Sequence, residues 1–221
     1  MRIKRIIDLS QPFVEHGYQN PAFEDGHVEI CMRHEKEGWH AEKIYTATHV
    51  GTHVDAPLHK LRGGKSIDAF NLTRFAGEGI LIDLRHKKPD EEITLKDVQH
   101  EGITVGSIVL LCTGWPDRKT PQQKDKYLFH SPWLGEKAAR YLVEKGVSGV
   151  GIDHFSIGGA NAANVEIPHD ILLEADVLIF EGLLLPKELF ELDKWFFAAF
   201  PLLIKGASGS ILRAVAMDIK A

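Results

Sequence analysis

The sequence predicts a single α/β domain, built on a mixed β-sheet with flanking helices. Short runs of apolar and β-branched residues recur along the chain, and helix-like and strand-like segments alternate between residues 131 and 180. Alternation of this kind builds partly parallel sheets that helices cover. No repeat period or break in composition divides the 221 residues, so we expect residues 1–221 to form one domain.

The predicted strands are short segments rich in apolar, β-branched residues. They cover residues 3–9, 27–32, 43–50, 79–84, 108–112, 147–152, 177–180, 196–204 and 210–217.

Three helices are predicted between these strands. The clearest covers 131–145, with Ser131 as N-cap, Pro132 at the first position and a glycine directly after its end. A second is expected over 168–175, and a short one follows Thr94, whose hydroxyl can cap its first turn.

Composition narrows the classes of partner. The formal net charge is −5, and the lysines and arginines are scattered rather than massed, so we expect neither nucleic acid nor a membrane surface as a partner. The first ten residues show neither a secretory signal nor a spanning helix, which predicts a cytoplasmic protein. Cys31 and Cys112 are far apart and form no CxxC pair, so any metal must be held by nitrogen and oxygen.

The strongest functional signal is the segment 49–59, which reads HVGTHVDAPLH. It contains His49, His53, Asp55 and His59. The same side chains could form a hydrogen-bonded or surface cluster without metal. We favour a metal site, because gathering three imidazoles and a carboxylate is costly unless a cation offsets their desolvation.

The backbone of this segment must turn sharply. Its many β-branched residues, together with Gly51 and Pro57, oppose a helix. In a regular strand His49 and His53 would lie about 13 Å apart, too far to share one ion. We therefore expect a strand that ends near His49 and becomes a tight loop, with Gly51 permitting the turn.

Two further candidate ligands lie late in the chain. His169 is expected at the start of a short helix and Glu181 at the end of the following strand. A helix-to-strand return can bring both to one edge of the sheet, where open α/β sheets commonly place their sites.

Residues 49–59 match every fixed position of the pattern HxGTHxDxPxH, and the sequence thereby resembles the cyclase and kynurenine formamidase family of metal-dependent hydrolases. The likeness continues through TGW at 113–115, GID at 151–153, Ser156, and EGL at 181–183. It therefore spans most of the chain.

The resemblance implies a set of metal ligands and an acid/base. The implied ligands are His49, His53, Asp55, His169 and Glu181. The first three would hold one ion and the last two a second, with Asp55 bridging, while His59 would move the proton. The resemblance further implies a swivelling β/β/α fold, one or two zinc ions with manganese as the alternative metal, and a homo-oligomer, either dimer or tetramer.

The implied activity is hydrolysis of a small amide, an arylformamide such as N-formylkynurenine in tryptophan catabolism, by metal-activated water. Two alternatives stay open: ring opening of a cyclic amide or lactone, as in isatin hydrolases, and a non-catalytic metal or ligand-binding module. A module would not need His59 beside its ligands.

Two departures from the family concern the pocket. Formamidases acting on N-formylkynurenine typically carry Trp-Pro-Gly-Asp in the N-terminal loop, where this chain has GYQNPAFEDG at 17–26. Position 154 is His rather than the usual Thr, which provides either a polar contact near the site or a surface ring. The aromatic residues available to line the pocket are Phe13, Tyr18, Phe23 and Trp115.

Overall fold

The computed structural model describes residues 2–13, 20–24, 26–118, 124–160 and 163–220, with the backbone alone at 220. Its strands are β1 Arg2–Asp8, β2 His27–Met32, β3 Ala41–Tyr45, β4 His53–Asp55, β5 Ala76–Asp83, β6 Glu92–Ile93, β7 Ile108–Cys112, β8 Trp133–Leu134, β9 Gly149–Ile152, β10 Leu178–Glu181, β11 Trp195–Pro201 and β12 Gly209–Lys220. Its helices are α1 His34–Glu37, α2 Leu95–Val98, α3 Lys124–Phe129, α4 Glu136–Glu144 and α5 Glu166–Glu174.

The main sheet is mixed and closes into a barrel. Its strands follow the order β1-β12-β11-β5-β7-β9-β10-β4, and β4 also pairs with β12. Strands β5, β7, β9 and β10 run parallel to one another, and the other pairings are antiparallel. The predicted fold class, a mixed sheet with flanking helices in an α/β domain, is confirmed.

Strand β7 contributes side chains to two separate hydrophobic clusters, one on each face of the sheet. All five of its residues are buried, as expected for a central parallel strand that is covered on both faces. Val109 and Leu111 pack in one cluster with residues of α2, α4 and α5. Ile108 and Leu110 pack in a second cluster, which includes Phe180 of β10 and Phe197 of β11. The period of two along a strand sends alternate residues into the two cores.

Every segment predicted as a strand overlaps a strand of the structure, with one substantial difference. The strand expected over 43–50 ends at Tyr45, and the chain turns before His53 starts a new strand, β4. The expected turn at Gly51 is confirmed, because this glycine has a φ of 65°. The expectation that His53 and Asp55 lie in a loop is wrong, since both pair with β10 and β12.

The predicted start of the helix at 131–145 is also wrong. Helix α4 begins at Glu136, and Ser131 does not cap it. Trp133 and Leu134 pair with Glu92 and Ile93 of β6, so this stretch forms the short strand β8 and not a first helical turn.

The other two helix predictions are confirmed with small shifts. Helix α5 covers Glu166–Glu174 and therefore begins before Pro168, which lies in its first turn. Helix α2 follows Thr94, whose side chain and that of Asp97 form a reciprocal capping box.

Strands β2 and β3 form a separate two-stranded hairpin. Its large apolar side chains are exposed, namely Val28, Ile30, Met32, Ile44 and Tyr45. Two-stranded hairpins are at best marginally stable alone, which makes this one a candidate contact surface. Among the described residues, no helix is both long and apolar enough to cross a bilayer.

Candidate metal centre

The site forms where β4 meets the end of β10. His53 is the direct partner of Glu181 across this antiparallel pair, and Asp55 is the partner of Ile179. Residues His53 and Asp55 share one face of their strand, because side chains alternate along it. Sheet pairing therefore brings together side chains that are more than 120 positions apart in the chain.

The turn before β4 is fixed by its own hydrogen bonds. The hydroxyl of Thr52 donates to the carbonyl of Gly182 at 2.7 Å and accepts from the amide of Gln11 at 2.8 Å. Gly182 has a φ of 66°, and a Cβ there would overlap the carbonyl of Gly51. Both glycines thus permit the close approach of the loop to the end of β10.

Backbone contacts orient two of the imidazoles. Nδ1 of His53 lies 3.0 Å from the carbonyl of Gly51, and Nδ1 of His169 lies 2.5 Å from the carbonyl of Val165. Because a carbonyl only accepts, both Nδ1 atoms carry the proton. Each Nε2 faces Glu181, at 3.4 Å for His53 and 3.3 Å for His169, and in the neutral imidazole it would offer its lone pair to a cation.

Asp55 is fully buried and lies close to three of the imidazoles. Its Oδ1 is 2.6 Å from Nδ1 of His49 and 3.5 Å from Nε2 of His53. Its Oδ2 is buried, has no hydrogen-bond partner in the part of the chain that the structure describes, and lies 3.9 Å from Nε2 of His169. A buried carboxylate oxygen without a partner is costly, and a cation would offset that cost.

Among the described residues, two groups of three candidate ligands have ligand atoms within 4.8 Å of one another. One contains His49, Asp55 and His59, and the other His53, Asp55 and Glu181. Asp55 belongs to both, as expected for a bridging carboxylate. The division differs from that implied by the resemblance, which paired His49 with His53, so the assignment of each side chain to an ion stays a prediction.

Charges within the cluster favour a cation. Burial alone would lower the pKa of His53 and His169, yet the adjacent carboxylates raise both above the usual value. Burial would raise the pKa of Asp55 and Glu181, yet the neighbouring histidines hold both below the usual range. The carboxylates thus stay ionised and stabilise positive charge between them, and the nitrogen and oxygen donors present suit a divalent metal ion.

His59 occupies a different place from the buried candidates. It ends a short 3₁₀ turn that Pro57 starts, and it is only partly buried. Its ring centroid lies 3.9 Å from that of His49 and 6.3 Å from that of His169. Burial lowers its pKa, so its imidazole is neutral at neutral pH.

These side chains open into a cavity of about 130 Å³. Its lining includes His49, His53, His59, His169 and Glu181, together with Phe23, Phe155, Val165, Lys60 and Glu166. Of the aromatic residues expected to line it, Phe23 does so and stacks on His49 with centroids 6.1 Å apart. Phe13 lines a separate cleft, and Trp115 is buried in a core cluster. Tyr18 and positions 17, 19 and 25 of the 17–26 loop fall outside the described residues.

Lys60, Phe155 and Glu166 were not predicted as pocket residues. Lys60 directly follows His59, and Glu166 precedes His169 by three positions, which is one helical turn. The spacing of Glu166 from His169 could therefore have predicted that Glu166 lies near the site. No pattern indicates Phe155, which the loop after β9 places in the pocket.

His154 is wholly buried, so it is not a surface ring. Its Nε2 donates to the carbonyl of Tyr127 at 2.9 Å, which leaves Nδ1 to accept from the amide of Ser156 at 3.2 Å. Further along the same loop, the amide of Ile157 donates to Oε1 of Glu181 at 2.7 Å. His154 therefore fixes the loop that holds Glu181.

Comparison with known proteins agrees with this geometry. Residues 7–158 match the sequence model of the Cyclase family. The kynurenine formamidase of Salinibacter ruber is 31% identical over 185 residues, covering 78% of this chain and 77% of its own.

Solved structures with the same fold include hydrolases. Isatin hydrolase A from Labrenzia aggregata, bound to benzyl benzoate, superposes with a TM-score of 0.85 at 26% identity, covering 98% of this chain and 94% of its own. A structure described as a potential metal-dependent hydrolase with cyclase activity superposes with a TM-score of 0.75 at 28% identity, covering 98% and 99%.

Proposed function

Because the chain belongs to the cyclase and kynurenine formamidase family of metal-dependent hydrolases, we propose that it cleaves the C–N bond of a small amide, with arylformamides such as N-formylkynurenine as substrates. Ring opening of a cyclic amide or lactone is the second candidate, favoured by the likeness to isatin hydrolase A. Both reactions add water to a carbonyl carbon, so the same side chains serve either.

One observation supports metal dependence most directly. Among the described residues, Oδ2 of Asp55 is buried without a hydrogen-bond partner and lies 3.9 Å from Nε2 of His169, while Nε2 of His53 lies 3.5 Å from Oδ1 of the same carboxylate. Imidazoles and carboxylates without thiolate suit zinc, our proposed metal, with manganese as the alternative. The proposed ligands are His49, His53, Asp55, His169 and Glu181.

A divalent ion bound here would lower the pKa of water and polarise a substrate carbonyl. His59 is the proposed acid/base. Its lowered pKa keeps its imidazole neutral, so it can accept a proton from water and then donate it to the departing nitrogen. A binding module would gain nothing from this partly exposed imidazole beside the cluster.

The apolar walls of the cavity suit an aromatic leaving group. Phe23, Phe155 and Val165 line it together with the polar cluster. A planar ring held between such side chains would be oriented with its amide toward His59.

The proposal is tested by loading the purified protein with zinc or manganese and measuring turnover of formanilide, isatin and an aryl lactone. Hydrolysis of formanilide at the highest kcat/KM supports the formamidase activity, and a preference for isatin or the lactone supports ring opening. Stoichiometric metal with no turnover of any of them would contradict both and favour the module.

We also propose that the protein is a cytoplasmic homo-oligomer, a dimer or tetramer. The exposed apolar hairpin β2–β3 supports self-association. Light scattering on Ile44→Glu, which places a charge on that hairpin, should show a smaller particle than the unsubstituted protein. An equal mass for both would contradict a role for the hairpin.

A further inference from the structure

A pair of opposite charges lines the candidate substrate pocket. Lys60 directly follows His59, and Glu166 lies one helical turn before His169 on α5. The two elements that place the proposed acid/base and one proposed ligand therefore also place an ammonium and a carboxylate in the same cavity.

Lys60 is held there by acidic side chains of α5. It forms an ion pair with Glu166, and its Nζ lies 3.7 Å from Oδ1 of Asp170. The Lys60 side chain is 26% exposed, whereas those of Glu166 and Asp170 are 56% and 47% exposed. Both carboxylates stay hydrated if Lys60 moves, and ion pairs of such exposure are weak. Lys60 can therefore exchange a partner at little cost.

We propose that Lys60 binds a carboxylate on the part of the substrate that is not cleaved, so that the protein prefers anionic substrates over neutral ones. The inference rests on the proposed function of this pocket. An ammonium has three donors, so Lys60 can donate a hydrogen bond to a substrate carboxylate while keeping one of its acidic neighbours. The resulting bond joins two charged groups and is stronger than one to a neutral amide.

The same cavity offers apolar side chains to a substrate ring. Phe23, Phe155 and Val165 line the same cavity as Lys60 and His59. A substrate with its scissile carbonyl near His59 and a ring against these side chains would place a ring substituent toward Lys60. A cationic substituent would instead be repelled by Lys60.

The test compares para-formamidobenzoate with its neutral isostere para-formamidobenzamide and with cationic para-(aminomethyl)formanilide. All three have the same scissile bond. The unsubstituted protein should show a KM about tenfold lower for the benzoate than for the benzamide. Lys60→Met should remove that difference by raising the KM for the benzoate selectively, and Lys60→Arg should retain most of it.

Lys65→Met is the matched control. Lys65 is also a lysine paired with an acid of another segment, Asp176, but it does not line the pocket. The Lys65→Met variant should leave the preference for the benzoate over the benzamide unchanged. A preference for the cationic substrate would overturn the proposal and assign recognition to Glu166. An equal fall in kcat on all three substrates in Lys60→Met would also overturn it, since Lys60 would then only tether His59 to α5.

Calorimetry separates this inference from the proposed function. The probes are benzoate and benzamide themselves, without the formamide group, so their affinities for the metal-loaded protein can be measured without turnover. Tighter binding of benzoate that is lost in Lys60→Met supports the proposal even if no formamide is cleaved. Equal affinities would contradict it even if formanilide is hydrolysed.

Discussion

His53 and Glu181 are direct partners across two antiparallel strands, and Nε2 of the one lies 3.4 Å from Oε2 of the other. Backbone pairing between β4 and β10 thus sets the spacing of two proposed ligands before any ion binds. Sites built on strands hold their side chains more rigidly than sites on loops. The approach of the 46–52 turn to Gly182 completes the arrangement.

Gly182→Ala should destabilise the protein and distort the turn. A Cβ there would overlap the carbonyl of Gly51, and the φ of 66° is unfavourable for alanine. We expect a loss of about 2–4 kcal/mol in the free energy of unfolding. Gly206→Ala is the control, because Gly206 has a φ of 73° but no atom within 4 Å of the added Cβ. Equal losses in chemical denaturation would show that the close approach is unimportant.

His59→Ala should keep the bound metal and lose turnover. A positioned acid/base contributes about 10²–10⁴-fold to a rate, so kcat should fall in that range. Metal content and kcat are measured on the same preparation. Unchanged kcat would remove His59 from the mechanism, and joint loss of metal and activity would make it a ligand, as its place beside His49 and Asp55 allows.

Asp153 should make stability depend on pH. Burial raises its pKa from 3.8 to about 6, although its carboxylate accepts hydrogen bonds from the amides of Thr113 and Gly114. The folded state therefore holds this proton more tightly than the unfolded state. The resulting contribution of Asp153 to the free energy of unfolding is full below pH 3.8 and is lost as pH rises through about 6.

Comparison with Asp153→Asn isolates this effect, since the variant cannot titrate at this position. Relative to the variant, the unsubstituted protein should lose about 2 kcal/mol of unfolding free energy between about pH 4.5 and about pH 7. Denaturant unfolding at both pH values measures the difference. If the difference in unfolding free energy were the same at both pH values, or changed in the opposite direction, the pKa of Asp153 would not be raised in the folded protein.

The sequence was most informative where residue type alone restricts structure. Gly51 was expected to turn the chain because of its freedom at positive φ, and it does. The strand β4 was missed because three residues are too few to show a period, and its partners β10 and β12 are distant in the chain. Barrel closure through the β4–β12 pairing could not be predicted for the same reason.

The candidate site shows the same limits. The segment 49–59 gathers its polar residues locally, which allowed most of the cluster to be proposed from sequence. Asp55 also lies between two side-chain groups, as expected of a bridging residue. The role of Lys60 depends on a contact with α5, more than 100 positions away, which no local pattern reveals.

The most direct test of the metal centre is the metal content of the purified protein and of Asp55→Asn, measured by elemental analysis after dialysis against zinc or manganese. Asp55 belongs to both groups of candidate ligands, and within the described ranges one of its oxygens has no hydrogen-bond partner. We predict at least one divalent ion per chain in the unsubstituted protein and a loss of most of it in Asp55→Asn. Equal metal content in both, or none in the unsubstituted protein, would contradict the account.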